Sequence, residues 1–189
     1  MLKSSLLLIG GAVFLSLLFL HPVNGAEEMP LTGKFILLDG KGRTVSDESF
    51  SGRLRVVTFG YTFCPDICPT TLSTMTAAWE KLGKDQSKVV FLFISIDPER
   101  DTQAMLNDYI SAFPGLEGLR GTPAMLAAAA RNFRVVYERQ QAPKEDPQAY
   151  AVDHSTGIFI MNEQGRFLAK LPHIATPDDL AARIKSYLK

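Results

Sequence analysis

Both cysteines of this 189-residue chain lie in one short segment, Tyr61-Thr62-Phe63-Cys64-Pro65-Asp66-Ile67-Cys68-Pro69. The apolar run from Leu54 to Phe59, which precedes it, is typical of a buried strand. After the segment, apolar residues recur at the spacing of one helical face, and a glycine ends the pattern: Leu72, Met75, Trp79, Leu82 and Gly83. The two thiols therefore lie at a predicted strand-to-helix junction, where they can form a disulfide or bind a soft metal ion.

Strands and helices alternate along the rest of the chain. The pattern predicts a hairpin from Lys34 through Asp39–Gly42, a strand at Val89–Ile96, a helix from Asp101 or Thr102 to Phe113, a helix at Pro123–Asn132, a strand at Phe133–Tyr137, a hairpin at Ile158–Leu171 and a last helix that begins at Thr176. This order predicts an α/β fold with a central mixed sheet flanked by helices and an N-terminal β-hairpin. We assign Met75, Met105 and Met125 to the packed faces of these helices.

The first 26 residues have the layout of a signal peptide or an N-terminal membrane anchor. Lys3 is followed by the apolar stretch Leu6–Leu20 and by small residues that suit a cleavage site. The uncharged stretch is near the lower limit of roughly 17–25 residues that span a bilayer, so retention as an anchor is the alternative. In either case we expect residues 27–189 to form one exported domain, which is periplasmic or is anchored in the membrane and faces the periplasm.

The charge of the exported part excludes some functions. It contains 19 basic and 20 acidic residues, which gives no overall attraction to nucleic acid or acidic lipid. We therefore expect no nucleic-acid partner, and we expect a monomer.

A structural disulfide between Cys64 and Cys68 would close a very short loop. It would stabilise the domain little, because the gain in chain entropy grows with loop length.

The type of metal depends on the number of ligands. Thiolates select Cu(I), zinc or iron–sulfur clusters, and two cysteines are too few for structural zinc or for a cluster. If the segment from Cys64 to Cys68 forms a helical turn, the two side chains lie on one face, and the helix N-terminus favours the thiolates. A third ligand is needed for copper. His21 lies in the export segment and His173 is predicted at the surface, whereas His154 precedes the strand that begins at Ile158.

Four short motifs resemble those of the Sco/SenC family. They are Gly60 to Pro69, Ser95-Ile96-Asp97-Pro98-Glu99-Arg100-Asp101-Thr102, Gly118-Leu119-Arg120-Gly121 and Val152-Asp153-His154-Ser155. The resemblance implies a thioredoxin-like fold, copper as Cu(I) or Cu(II), and a role in assembling the dinuclear copper site of cytochrome c oxidase subunit II. It implies Cys64, Cys68 and His154 as copper ligands, with the oxidase subunit and another copper carrier as partners. Many members have histidine at the position of Phe63.

Four charged residues are candidates for supporting roles. Asp153 is placed to orient His154, since metal-binding histidines commonly donate a hydrogen bond to a carboxylate. Asp97, Arg100 and Asp101 are interpreted either as loop charges and a helix cap, or as a loop that supports the site or docks a partner beyond the end of a strand.

The function that the sequence favours is a copper-binding assembly factor rather than an enzyme with turnover. The alternative is a thiol–disulfide oxidoreductase, with Cys64 and Cys68 as a redox-active disulfide, that reduces cysteines of the oxidase subunit or of other exported proteins. The C-x-x-x-C spacing disfavours it, because thioredoxin-type motifs are C-x-x-C. A peroxidase of the peroxiredoxin type needs threonine or serine three residues before its reactive cysteine, where this chain has Tyr61 or Pro65.

Overall fold

The computed structural model describes residues 31–188, and we number its elements in chain order. The strands are β1 (Ile36–Leu38), β2 (Thr44–Ser46), β3 (Leu54–Gly60), β4 (Val89–Ser95), β5 (Leu116–Leu119), β6 (Tyr137–Arg139), β7 (Val152–His154), β8 (Ile158–Met161) and β9 (Phe167–Leu171). The α-helices are α1 (Ile67–Leu82), α2 (Gln103–Ser111), α3 (Pro123–Phe133) and α4 (Pro177–Tyr187).

The central sheet is mixed and has the strand order β5-β4-β3-β8-β9. Strands β3, β4 and β5 are parallel, while β8 pairs antiparallel with β3, and β9 pairs antiparallel with β8. Strands β1 and β2 form the predicted N-terminal hairpin. The predicted α/β class and the hairpin at β8 and β9 are therefore confirmed.

Both faces of the sheet are buried, because successive residues of a strand point to opposite sides. In β4, Val90, Leu92 and Ile94 pack in the cluster that includes α3, and Phe91 and Phe93 pack in the cluster that includes α1 and α4. Every residue of β3 and β4 is buried. This two-sided burial explains why the two strands have nearly continuous apolar sequences.

Side-chain caps fix the starts of three helices. Thr102, Thr122 and Thr176 accept hydrogen bonds from the backbone N–H groups of Met105, Met125 and Asp179, respectively. At α4 the carboxylate of Asp179 returns to Thr176 and completes a capping box. These caps confirm the helix starts at Thr102 and Thr176 that the sequence predicts.

One predicted strand is displaced, and strand β5 is missing from the predicted order. The segment predicted as a strand from Phe133 to Tyr137 begins with the last residue of α3, whose apolar face extends to Phe133, and Arg134 then ends the helix in the left-handed conformation at φ 54°. The strand itself is β6, which pairs with β7 outside the central sheet. Strand β5 was not predicted, because its four residues include an exposed glutamate and a glycine.

The predicted signal peptide or anchor at residues 1–26 lies outside the described residues. Within residues 31–188, no helix is long and apolar enough to cross a membrane.

Gly115 precedes the unpredicted strand β5 and provides a test of its packing. Its φ is +84°, and a Cβ atom there would collide with the indole ring of Trp79. We expect Gly115→Ala to lower the free energy of unfolding by about 3 kcal/mol, from backbone strain and steric overlap together. Gly42 has φ +73° with open space around it, so Gly42→Ala should cost only about 1 kcal/mol of backbone strain.

Urea titrations of both variants measure these losses. Equal losses in the two variants would show that Trp79 moves aside freely and that the packing against Gly115 is not tight.

Candidate metal centre

The predicted site residues lie at one edge of the central sheet. Parallel strands β3 and β4 end there, and antiparallel strand β8 begins there. The loop with Cys64 follows β3, the loop with Arg100 follows β4, and the segment with His154 leads into β8. The carboxyl ends of parallel strands are the usual ligand-binding edge of α/β sheets.

Cys68 lies in the first turn of α1, whereas Cys64 precedes the helix in the loop. The predicted helical turn across both cysteines is therefore wrong at Cys64, which follows a tight turn where its N–H donates to the carbonyl of Tyr61 at 3.2 Å. Both are nevertheless free thiols, and Cys64 lies close enough to raise the pKa of the Cys68 thiol.

The backbone of Gly60 lies directly against Cys68. A Cβ atom at Gly60 would come within 2.6 Å of Sγ of Cys68 and 2.8 Å of the ring of Phe93. A side chain at this position would therefore displace the sulfur or the ring. The last residue of β3 has to be glycine for Cys68 to occupy its present position.

Burial raises the pKa of the Cys68 thiol, and the negative charge of Asp101 raises it further. The prediction that the helix N-terminus favours the thiolate is therefore wrong for Cys68. Only 4% of Cys68 is exposed, and the cost of a buried charge exceeds what the helix dipole contributes. Cys64 is half-buried, so it is the more accessible thiol of the pair.

His154 is the last residue of β7 and is half-buried. Its Nδ1 atom is 3.1 Å from the carbonyl oxygen of Ser155. Since a carbonyl oxygen only accepts hydrogen bonds, Nδ1 carries the proton, which leaves Nε2 with a lone pair. Burial lowers the pKa of His154 and so favours this neutral form. A neutral imidazole with one free nitrogen is the form that binds metals.

The carboxylate of Asp153 does not hold the ring of His154 in this way. It accepts a hydrogen bond of 2.8 Å from Nε2 of Gln140, on the neighbouring side of the β6–β7 pair. The group that orients the imidazole is the backbone carbonyl of Ser155. The supporting role predicted for Asp153 is therefore taken by the main chain.

His154 contacts Tyr61, which begins the loop between β3 and α1 that carries Cys64; we call this loop the cysteine loop. The two rings meet edge to face, with centroids 6.2 Å apart. Within residues 31–188 no three His, Cys, Asp or Glu side chains are close enough together to form a ready metal site. The structure thus places the two thiols near each other and the imidazole against Tyr61 of the same loop. The ligand set of Cys64, Cys68 and His154 stays a prediction.

Asp97, Arg100 and Asp101 are buried, so their interpretation as solvated loop charges is wrong. The carboxylate of Asp101 accepts hydrogen bonds from the N–H and hydroxyl groups of Thr62, at 3.1 and 2.6 Å, and from the hydroxyl of Ser95. Burial raises the pKa of Asp101 despite these bonds. This carboxylate ties the loop after β3 to the end of β4.

Arg100 lies in the loop after β4 and connects this loop to the segment before β7. Its Nε donates to Asp97 at 2.6 Å, and its Nη1 donates to the carbonyls of Gln148 and Tyr150 at 2.8 Å each. Its guanidinium carbon lies 3.6 Å from the ring centre of Tyr150 and 4.6 Å from that of Phe63.

Sequence reasoning missed Tyr150, whose hydroxyl donates to Asp97 at 2.8 Å. The available signal was an isolated aromatic residue directly after a polar loop. Two other predictions are wrong: Met105 is 42% exposed rather than packed, and His173 is half-buried, with Nδ1 3.1 Å from the hydroxyl oxygen of Thr156.

Comparisons with known proteins identify relatives of this chain. A family model described as SCO1/SenC matches residues 23–189. The SCO2-like protein of Rickettsia felis is 34% identical over 189 residues, which cover 95% of this chain and 92% of that protein. The copper-bound structure of Bradyrhizobium japonicum ScoI is 42% identical, with a TM-score of 0.76 over 84% of this chain and 99% of that one.

Copper-bound yeast Sco1 is 31% identical, with a TM-score of 0.76 over 84% of this chain and 88% of that one. These matches confirm the predicted thioredoxin-like fold.

The two thiols should differ in reactivity. At pH 7.5 we expect iodoacetamide to alkylate Cys64 well before Cys68, because Cys68 is buried and its raised pKa keeps it as the unreactive thiol. Mass spectrometry of quenched samples measures the order of labelling, and in urea both cysteines should react at similar rates. Labelling of Cys68 first in the folded chain would contradict the burial described above.

Proposed function

Because the chain belongs to the SCO1/SenC family, which the match over residues 23–189 shows, we propose that it carries copper as cargo to the dinuclear copper site of cytochrome c oxidase subunit II. The observation that carries this proposal is the proximity of two free thiols, together with a neutral imidazole that contacts Tyr61 of the same loop. Relatives that are 42% and 31% identical have copper bound in their solved structures.

The donor set fits a soft ion. Two sulfurs and one imidazole nitrogen suit Cu(I), and the same set accepts Cu(II) with a further donor. Cys64, Cys68 and His154 would hold the ion, with Ser155 fixing the imidazole so that Nε2 is available. Oxidation of the thiols to a disulfide removes two of the three donors, so redox state and copper load are coupled.

The protonation of the site favours reversible binding. Cys68 is a protonated thiol at neutral pH because burial raises its pKa, so the ion has to displace a proton. His154 is already neutral and gives up none. A site that regains protons as it loses copper is suited to delivery rather than to permanent retention. We infer that this delivery takes place outside the cytoplasm, after export directed by residues 1–26.

A second candidate function is thiol–disulfide exchange, which the proximity of two free thiols supports. Cys64, the more accessible thiol, would attack a partner disulfide, and Cys68 would resolve the mixed disulfide, giving a Cys64–Cys68 disulfide and two reduced partner thiols.

Substitution of the proposed ligands separates the two functions. Loaded anaerobically with Cu(I), the full-length chain in neutral detergent should bind one ion. Cys64→Ser and His154→Ala should each weaken this binding by at least about 100-fold, which is the upper end of the loss in metal affinity when a supporting partner is removed. His173→Ala is the matched control and should bind like the wild type. Competition with bathocuproine disulfonate measures the affinities.

If His154→Ala retains full copper affinity while the wild type reduces insulin disulfides efficiently, the exchange function replaces the copper-delivery function.

Gly60 tests the geometry without removing a donor atom. Because a Cβ atom would meet the sulfur of Cys68 at 2.6 Å, Gly60→Ala should weaken Cu(I) binding by about tenfold or more. Gly40→Ala is the control, since its Cβ atom would meet only the side chain of Asn107, at 3.1 Å. Thermal unfolding of both variants separates a local effect from a loss of fold, and unchanged affinity in folded Gly60→Ala would contradict the proposed position of Cys68.

A further inference from the structure

Large apolar side chains are exposed around the accessible thiol. In the described part of the chain, three of the seven exposed large hydrophobic residues lie in the cysteine loop or at the starts of α1 and α2: Phe63 at 47%, Ile67 at 38% and Met105 at 42%. Burying such side chains in a partner is favourable by about 25 cal/mol per Å² of apolar surface. Packing against residues 31–188 therefore leaves these three apolar side chains partly exposed to solvent.

Phe63 and Met105 line one pocket of about 410 Å³. The other lining residues are Thr62, Ala104, Asp108 and Tyr109. Thr62 and Phe63 immediately precede Cys64, so the pocket is formed in part by the loop that carries the accessible thiol. A side chain of a bound partner that enters this pocket would thereby place its neighbouring residues near Cys64.

The single charged residue in the lining of this pocket is Asp108, which is exposed. The carboxylates of Asp97, Asp178 and Glu99 are each paired with a lysine or arginine, whereas no such pair involves Asp108 within residues 31–188. Asp66, three residues after Phe63 in the sequence and at the start of α1, is also exposed. The charge available at this rim is therefore negative.

We propose that this pocket, lined by Phe63, Met105 and Asp108, docks a protein partner that presents an apolar side chain next to a lysine or arginine. The apolar residue would fill the pocket, and the basic residue would pair with Asp108, as in interfaces with an apolar centre and a charged rim. A membrane surface is disfavoured, because anionic headgroups repel Asp108. The proposal deepens the proposed function and rests on it for the presence of a partner protein at Cys64.

Short activated peptides test this preference on the full-length reduced chain. Each carries a 2-pyridyl disulfide on a central cysteine, so attack by Cys64 forms a mixed disulfide and releases one pyridine-2-thione, which is read at 343 nm. The first peptide has phenylalanine before and lysine after the cysteine. The second replaces the lysine with glutamate, and the third replaces the phenylalanine with glycine. Cys64→Ser gives the background rate.

We expect the first peptide to react about three- to tenfold faster than either of the others at low ionic strength, and the advantage of lysine over glutamate to shrink in 0.5 M salt. Asp108→Asn should abolish that advantage, and Asp108→Lys should reverse it. Met105→Ala should reduce the advantage of phenylalanine over glycine. Glu163→Lys is the control, since Glu163 is exposed in the β8–β9 turn at the opposite end of the sheet.

Equal rates for the three peptides, or a preference for lysine that persists in Asp108→Lys, would overturn the docking proposal. Loss of the advantage of phenylalanine over glycine in the presence of phosphatidylcholine vesicles would assign the apolar surface to lipid instead. Copper binding by the same variants is measured separately: a chain that binds no copper refutes the proposed function, whatever the peptides show, and Asp108 variants should keep the copper load of the wild type.

Discussion

The buried guanidinium group of Arg100 connects the three segments that form the site. It is paired with Asp97, it donates to two carbonyls at residues 148 and 150, and it faces the ring of Phe63 beside Cys64. Removing one partner of a buried ion pair typically costs about 3–5 kcal/mol, because the remaining charge is left uncompensated. The loop that carries Cys64 and the chain that leads to His154 are therefore held as one unit.

The same burial keeps the donor groups neutral. It raises the pKa of Cys68 and lowers the pKa of His154, so both groups are without charge at neutral pH. Asp101 lies close enough to raise the pKa of Cys68 further, while its carboxylate holds Thr62 through two hydrogen bonds. A soft cation that binds the neutral thiol of Cys68 has to displace its proton, so we expect the copper affinity to fall as the pH falls.

The elements that could be predicted from the sequence are those that depend on patterns within a short segment. The strand before Cys64 and the helix after Cys68 follow from apolar periodicity within about twenty residues, and Thr176 shows the start of α4 through its capping box. Strand β5 depends instead on pairing with β4 and on Gly118, whose Cα lies under the side chains of α2. The burial of Arg100 depends on Tyr150, fifty residues away, and no local pattern contains that contact.

Phe63 has two roles that explain why an aromatic ring occupies the position beside Cys64. One is the contact with Arg100, in which the negative face of the ring attracts the guanidinium group at 4.6 Å. The other is to line the apolar pocket with its exposed part. A histidine here would be repelled by Arg100 whenever it is protonated, and it would place a second imidazole next to the proposed copper ligands. Phenylalanine therefore makes the contact with Arg100 independent of pH, and the proposed donor set remains Cys64, Cys68 and His154.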